Sequence, residues 1–323
     1  MERNYSIDLL KFTMAVLVVF LHTDWIGTDY VNPIARCAVP TFFMISGFLL
    51  YDGHTIGIER IDRNINNIWH IFVWSSILFL VMKEMSYIVK GNFWFPSAQQ
   101  AIKFLLFNEH PFYWHLWYIP AYLYTLIIMW IVDKYNLYKY LFFATPLLLF
   151  GDLVFGKYSV MLWGREFNAI YVRNFLFVGI PYFSLGLLIK RNMNKIIGIN
   201  KTIILTGGGI LYLLCLLERH FLDVHGWQAA RDHYLSTTFL SVCFFLLFLN
   251  MKIRPNKLVT SGGQDSLYIY VLHPLVMYIM GMLVCRNAFM CSIYYYIAPM
   301  IIVFITVLGV YMLRKCKVIG KII

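Results

Sequence analysis

Residues 7–22 read Ile-Asp-Leu-Leu-Lys-Phe-Thr-Met-Ala-Val-Leu-Val-Val-Phe-Leu-His. Asp8 and Lys11 stand at the mouth of the apolar run Leu9–Leu21, and His22 closes it. A second run, Ala38–Tyr51, carries Ser46-Gly47 and leads into Arg60-Ile-Asp-Arg63. A histidine at one end of a membrane helix and an arginine pair just past the next point to a site read from both faces. The rest of the chain reads as the cage around it.

Composition supports this reading. The 323 residues are 60% hydrophobic and only 13% charged, with a mean hydropathy of +0.68. A soluble globular domain carries roughly 25% charged residues. The chain is therefore expected to be an all-α, polytopic membrane protein forming a single integral membrane domain over residues 1–323. The first apolar run shows no small-residue cleavage site, and His22-Thr23-Asp24 follow it directly, so it is expected to be a retained span rather than a signal peptide.

A span needs about 20 apolar residues. Ten candidates occur, at 7–26, 34–52, 67–89, 115–133, 137–156, 174–190, 202–221, 234–251, 266–285 and 292–313. The second and sixth are short and contain Pro40 and Pro181, breaks that are tolerated where backbone lines a cavity. Lysines and arginines mark orientation. One face collects 16 of them: Arg3; Arg60 and Arg63; Lys134 and Lys139; Lys190, Arg191, Lys195 and Lys201; Lys252, Arg254 and Lys257; and Arg314, Lys315, Lys317 and Lys321. The other holds 10: Arg36, Lys83, Lys90, Lys103, Lys157, Arg165, Arg173, Arg219, Arg231 and Arg286. The first face is expected to be cytoplasmic, with both termini inside. The net charge of +11 is then mostly topological. With no basic patch interleaved with aromatics outside the spans, no nucleic-acid partner is expected.

The outer loops are rich in aromatics, acids and histidines, as in Glu109-His110, Trp114-His115-Leu116-Trp117, Glu218-Arg219-His220 and Asp232-His233. Aromatics belong at a membrane interface in any case, but the ionisable groups beside them suggest a polar vestibule. The six cysteines show no metal-ligand spacing, and no metal is expected. Cys285 and Cys291 flank one short loop and could pair in an oxidising compartment. Gly207-Gly208-Gly209 lies inside a span with neither a preceding strand nor a following Lys-Ser/Thr, so it serves helix packing rather than phosphate binding.

Each ionisable group near a span admits two readings. His22 lies about 21 Å further along a helix than Asp8. It is either an interfacial histidine bonded to a neighbour or a general base, the role to which an imidazole is best matched near neutral pH. Arg60 and Arg63 share a helix face and offer planar forks for phosphate oxygens, or simply mark the inner face. Glu59 and Asp62 beside them halve the local charge. His273 precedes Pro274, which frees a carbonyl one turn back, so the histidine either donates to that carbonyl or takes part in chemistry. Arg36 and Arg173 require acidic partners, and Asp24, Asp29, Glu109 and Glu218 are the available ones.

Several of these stretches, in this order, resemble the acyltransferase-3 family of integral membrane acyltransferases. They are Ser6-Ile-Asp-Leu-Leu-Lys-Phe with Val19-Phe-Leu-His22; Arg36 through Pro40 to Ser46-Gly47-Phe; Arg60-x-x-Arg63; His115-Leu-Trp-Tyr-Ile-Pro-Ala; and Ser266-Leu-Tyr-Ile-Tyr-Val-Leu-His-Pro. Lys11 stands where many members have arginine, and the charge is kept. The His115–Ala121 stretch, with Arg173-Asn174 and Glu218, is also similar to the membrane half of the vancomycin-resistance serine racemases. No stretch resembles the extracytoplasmic hydrolase-like domain of some sugar acetylases, so an external relay of the acyl group is not expected.

The resemblance implies a multi-pass protein of a bacterial-type cytoplasmic membrane, in contact with membrane lipid. It would move an acyl group, usually acetyl, from cytoplasmic acyl-CoA to a hydroxyl at the outer face. Arg60 and Arg63, with Ser46, would hold the CoA donor, and its thioester arm would run up a channel between spans one and two. His22 would be the base or carry the acyl group, with Asp8 and Lys11 buttressing the inner entrance. Arg36, His115, Trp117, Arg173, Glu218 and His273 would surround the acceptor, a cell-surface glycan or lipid-linked sugar. Transport of a small polar solute such as an amino acid is the alternative, with a non-catalytic membrane partner behind it. The absence of two repeats with paired broken helices favours the enzyme.

The orientation is directly testable. Reporter fusions after Lys139, Lys201 and Lys257 are expected to read cytoplasmic, and fusions after Asp29, Gly164 and Asp232 external. One reversed pair would show that one of the ten spans is misplaced.

Overall fold

A computed structural model describes residues 3–229, 233–284 and 287–320. Arg231, Asp232, Arg286, Lys321 and the Cys285–Cys291 pairing lie outside the described residues. The described chain is helical, with no strand. In order, the helices are α1 (Tyr5–His22), α2 (Thr28–Ala35), α3 (Ala38–Leu50), α4 (Ile58–Ile88) and α5 (Ala98–Phe107). After a 3-10 turn at Trp114–Trp117 come α6 (Tyr118–Lys134), α7 (Tyr138–Phe155) and α8 (Ser159–Trp163). A π turn at Phe175–Gly179 leads into α9 (Ile180–Arg191), followed by α10 (Met193–Ile196), α11 (Lys201–Val224), α12 (Leu235–Leu249), α13 (Lys257–Val284) and α14 (Ala288–Lys315).

Among the described residues, eight helical segments are long and apolar enough to cross a membrane, with α2 and α3 counted together as Thr28–Leu50. The two other expected spans are shorter: α12 has 15 residues, and the sixth combines the π turn with α9. Pro40 and Pro181 both stand in the first turn of a helix, where the missing N–H breaks no internal bond. The irregular backbone therefore precedes each proline. Helix α4 begins well before residue 67 and has 31 residues, or about 46 Å. It exceeds the hydrocarbon thickness, and its first turns carry Glu59, Arg60, Asp62 and Arg63. Apolar side chains such as Ile77, Phe143, Leu213, Leu217 and Phe304 face outward, as lipid requires.

The chain packs as two compact units, whose boundary falls inside α3. The first comprises Met1–Ile45, Met193–Phe221 and His233–Ile323. Its centre is the contact of α1 with α13, flanked by α2, α12 and α14. The two helices run the same way, with Asp8 beside Gly263 and His22 beside His273. A Cβ at Gly263 would stand 2.5 Å from the Asp8 Cβ, and one at Gly262 would stand 2.6 Å from the Phe12 ring. The close approach therefore depends on both glycines. At the N-terminal end of the pair, Arg3 donates to Asp8 at 2.6 Å and to the Thr260 carbonyl at 2.9 Å, while Ser6 donates to the Met251 carbonyl at 2.6 Å. Asp265 of α13 pairs with Arg314 in the last turn of α14.

The second unit comprises Ser46–Asn192 and Leu222–Asp232. Here α4 packs on α6, and α7 packs on α9 and the π turn. The end of α3 touches α9 so closely that a Cβ at Gly47 would collide with the Phe183 carbonyl.

Replacing Gly263 by Val should force α1 and α13 apart. Overpacking of this kind costs about 1–3 kcal/mol, so the detergent-solubilised variant should melt well below the parent protein. A parent-like melting temperature would show that the contact is dispensable.

Candidate functional site

His22 occupies the last turn of α1, where a basic side chain complements the helix dipole, and it is half-buried. Its imidazole stacks on that of His273, with ring centroids 5.6 Å apart and planes 16° apart. His273 is fully buried on α13, with the backbone carbonyls of Ile269 and Tyr270 in its surroundings. The Tyr270 carbonyl lies four residues before Pro274, which supplies no N–H to it. The buried ring in turn gives His22 a flat surface to lie on.

At the other end of α1, Asp8 is buried and its ion pair is with Arg3. Lys11, one turn further on, is within electrostatic reach of Asp8, so the three residues form one cluster. Arg3 counted in the sequence only as an inner-face charge; its bond to Asp8 is local, and its bond to the Thr260 carbonyl comes from the fold.

The same unit gathers Arg36 and Glu218, both within electrostatic reach of the Cys215 thiol. Glu218 accepts from the Ser236 hydroxyl at 2.8 Å. Asp29, a possible partner for Arg36, instead pairs with Arg219 at 2.5 Å.

The second unit places His115, Trp117 and Arg173 near one end, and Ser46, Arg60 and Arg63 on α3 and α4. His115 lies buried in the 3-10 turn, 3.9 Å centroid to centroid from the Trp114 ring. Asn108, buried in a left-handed conformation, donates to the Trp117 carbonyl at 3.3 Å and accepts from the Phe175 N–H at 2.8 Å. It ties the His115 turn to the π turn that follows Arg173. Asn174 caps that turn by accepting from Leu176 and Phe177. Asn108 was not singled out in the sequence, since an Asn-Glu-His loop carries no sign of its distant partner. Ser46 is within hydrogen-bonding reach of Tyr122. Arg60 is half-buried and donates to the Leu50 carbonyl at 3.2 Å, whereas Arg63 is exposed.

His110, expected in an open vestibule, is instead buried. Its Nδ1 accepts from the Phe112 and Tyr113 N–H groups at 3.3 and 3.4 Å, so its Nε2 faces Ser76 as a donor, at 3.0 Å. Burial, with Lys83 nearby as the lesser cause, pushes its pKa down to about 3.

The acyltransferase-3 family, described as an acyltransferase domain, matches residues 4–313 and so covers both units. Similar curated proteins are an amino-acid racemase of Enterococcus faecalis, 27% identical over 83% of this chain, and a serine/alanine racemase of Enterococcus gallinarum, 26% identical over 84%. The chain spans about 40% of the length of these relatives, 39% and 40% respectively. No solved structure gives a significant match.

The neutral form of His110 is a stability constraint with a definite sign. Its folded pKa lies below the unfolded value of about 6.5, so the unfolded chain binds the extra proton. Its contribution is fully present above that value and is lost as pH falls toward about 3. Between pH 7 and pH 5 the loss is about 2 kcal/mol. His110→Gln should flatten the fall in melting temperature over this range. An unchanged acid dependence would remove His110 as its source.

Proposed function

Since the chain belongs to the acyltransferase-3 family of membrane proteins, we propose that it transfers an acyl group, acetyl above all, from cytoplasmic acyl-CoA to a hydroxyl acceptor at the outer face of a bacterial-type cytoplasmic membrane. The acceptor class is a cell-surface glycan or a lipid-linked sugar. The observation that carries the reading is the His22–His273 stack within the family match. A half-exposed imidazole with a fixed, buried backing is oriented without being sequestered, as a general base requires.

His22 takes the proton of the acceptor hydroxyl as its oxygen attacks the thioester carbonyl. The C–S bond breaks as the ester C–O bond forms, and the proton passes to the departing thiolate to give free CoA. Arg60 and Arg63 serve the donor phosphates, because a guanidinium fork matches a phosphate in charge and geometry. Arg36 and Glu218 in one unit, and His115, Trp117 and Arg173 in the other, are the acceptor-facing candidates. The scattered acids and aromatic faces suit a sugar.

A second reading, membrane handling of an amino-acid solute, draws on the relatives described as amino-acid and serine/alanine racemases. Acetyl-CoA turnover by purified protein, set beside serine uptake into vesicles, distinguishes the two.

His22→Ala should lose about 10²- to 10⁴-fold in acyl transfer while melting like the parent and still binding CoA. The double variant Arg60→Lys/Arg63→Lys keeps the charge but loses the fork. It should insert normally and bind CoA roughly ten- to hundredfold more weakly. Full turnover by His22→Ala would sink the base assignment, and unchanged CoA affinity in the arginine variant would leave those residues as topology markers.

A further inference from the structure

Three segments of the second unit converge at one place: the turn after α3, the first turns of α7 with the short turn before them, and the C-terminus of α9. Tyr51, His54, Asn136, Tyr138, Lys139, Phe142 and Arg191 line an open pocket of about 520 Å³ there. That volume lies within the range of about 300–1,000 Å³ typical of small-molecule sites. The floor is aromatic: Tyr51 and Tyr138 are 5.7 Å apart by ring centroid, and Tyr138 and Phe142 are 6.3 Å apart. Tyr138 is fixed from behind, since its hydroxyl donates to Asp133 and accepts from the Ile56 N–H at 2.9 Å.

The rim is basic, with Lys139, Arg191 and His54. The two carboxylates nearby are turned to the backbone. Asp52 accepts from the His54 and Thr55 N–H groups at 2.8 and 2.9 Å, and Asp133 from those of Ile56 and Gly57 at 2.9 and 3.2 Å. The first turn of α7 has no side-chain cap, so the positive end of an 18-residue helix opens at the same place. Orientation in the membrane accounts for basic residues on this face, and a helix C-terminus accounts for Arg191. Neither accounts for an aromatic floor beneath them.

Cations and N–H groups beside a cluster of aromatic rings suit a phosphorylated planar base. A lipid headgroup shares the phosphate but brings nothing flat for the rings. We propose that this pocket binds the nucleotide end of the acyl donor, the 3′-phosphorylated adenosine diphosphate of CoA. Lys139 and Arg191 meet phosphate, and Tyr51, Tyr138 and Phe142 meet adenine. The assignment rests on the acyl-CoA reading above and extends it to residues outside Arg60-x-x-Arg63. Arg60 joins the two, because its bond to the Leu50 carbonyl holds the residue immediately before Tyr51.

The test uses the whole chain in nanodiscs of neutral phosphatidylcholine, titrated with CoA, adenosine 3′,5′-bisphosphate and pantetheine. Wild type should bind CoA and the bisphosphate. Lys139→Gln/Arg191→Gln should weaken both by roughly ten- to hundredfold and leave pantetheine unaffected. Lys195→Gln/Lys201→Gln, with the same loss of charge elsewhere, should bind both like wild type. Should the pocket variant fold poorly, Phe142→Leu provides the check, and it should weaken the bisphosphate while sparing inorganic phosphate.

Equal CoA affinity in the folded pocket variant overturns the pocket and leaves acyl transfer standing if wild type turns acetyl-CoA over. Bisphosphate bound through Lys139 and Arg191 by a protein without acyl transfer keeps the nucleotide pocket and overturns the donor reading. Displacement of the bisphosphate by phosphatidylglycerol, through the same two residues, makes this a lipid-headgroup site and overturns the proposal, as does a wild type that binds no nucleotide.

Discussion

Helix α13 lies against α1 at a distance that only a missing side chain permits. Gly262 and Gly263 face Phe12 and Asp8, and any Cβ on either would overlap them. In lipid there is no hydrophobic gain from pushing two apolar helices together, so close packing and polar contacts must supply the attraction. The glycines provide the first and Arg3, bound to both Asp8 and Thr260, the second. The parallel register set at this end carries His22 onto His273 at the other. The histidine stack is thus a consequence of backbone contact several turns away.

Around that pair, polar groups within the apolar shell are matched rather than left to lipid. Asp265 meets Arg314. Removing one partner of a buried ion pair typically costs about 3–5 kcal/mol, which makes Asp265–Arg314 a constraint on the fold as well as a mark of orientation. In the second unit the same work falls to neutral groups. Asn108, Asn174 and His110 satisfy backbone donors and acceptors where helices break around the π turn and the His115 turn. A neutral His110 serves there because its tautomer is set by two N–H donors on one side and a hydroxyl on the other.

Family membership and the relatives' names bear on different questions. The match from 4 to 313 concerns the membrane chain itself. The racemase relatives are more than twice as long, so what their names describe belongs to proteins of which this chain matches about 40%. Within the chain, the groups suited to proton transfer and those suited to phosphate fall in different units. His22 and His273 are in the first, and Arg60, Lys139 and Arg191 are in the second.

The helical class, the approximate spans and the ends of most helices were legible in the sequence, because lipid demands a length of about 20 apolar residues whatever the neighbours are. His22 and the Arg60–Arg63 spacing were legible too, since an ionisable group at a helix end stands out against an apolar background. Three kinds of information came only from the tertiary structure. Asp8 pairs with Arg3, which also reaches the Thr260 carbonyl of α13, so the cluster at the start of α1 holds Arg3 as well as Lys11. His273 lies buried beneath His22, a stack that only the parallel packing of α1 on α13 brings about. The basic and aromatic residues at 51–54, 136–142 and 191 form one cavity because three helix ends converge, and nothing in each short segment records the other two. Hydrophobic length is a local property of a chain; the partner of a polar group is not, because it is chosen by whatever the packing brings within about 3 Å of it.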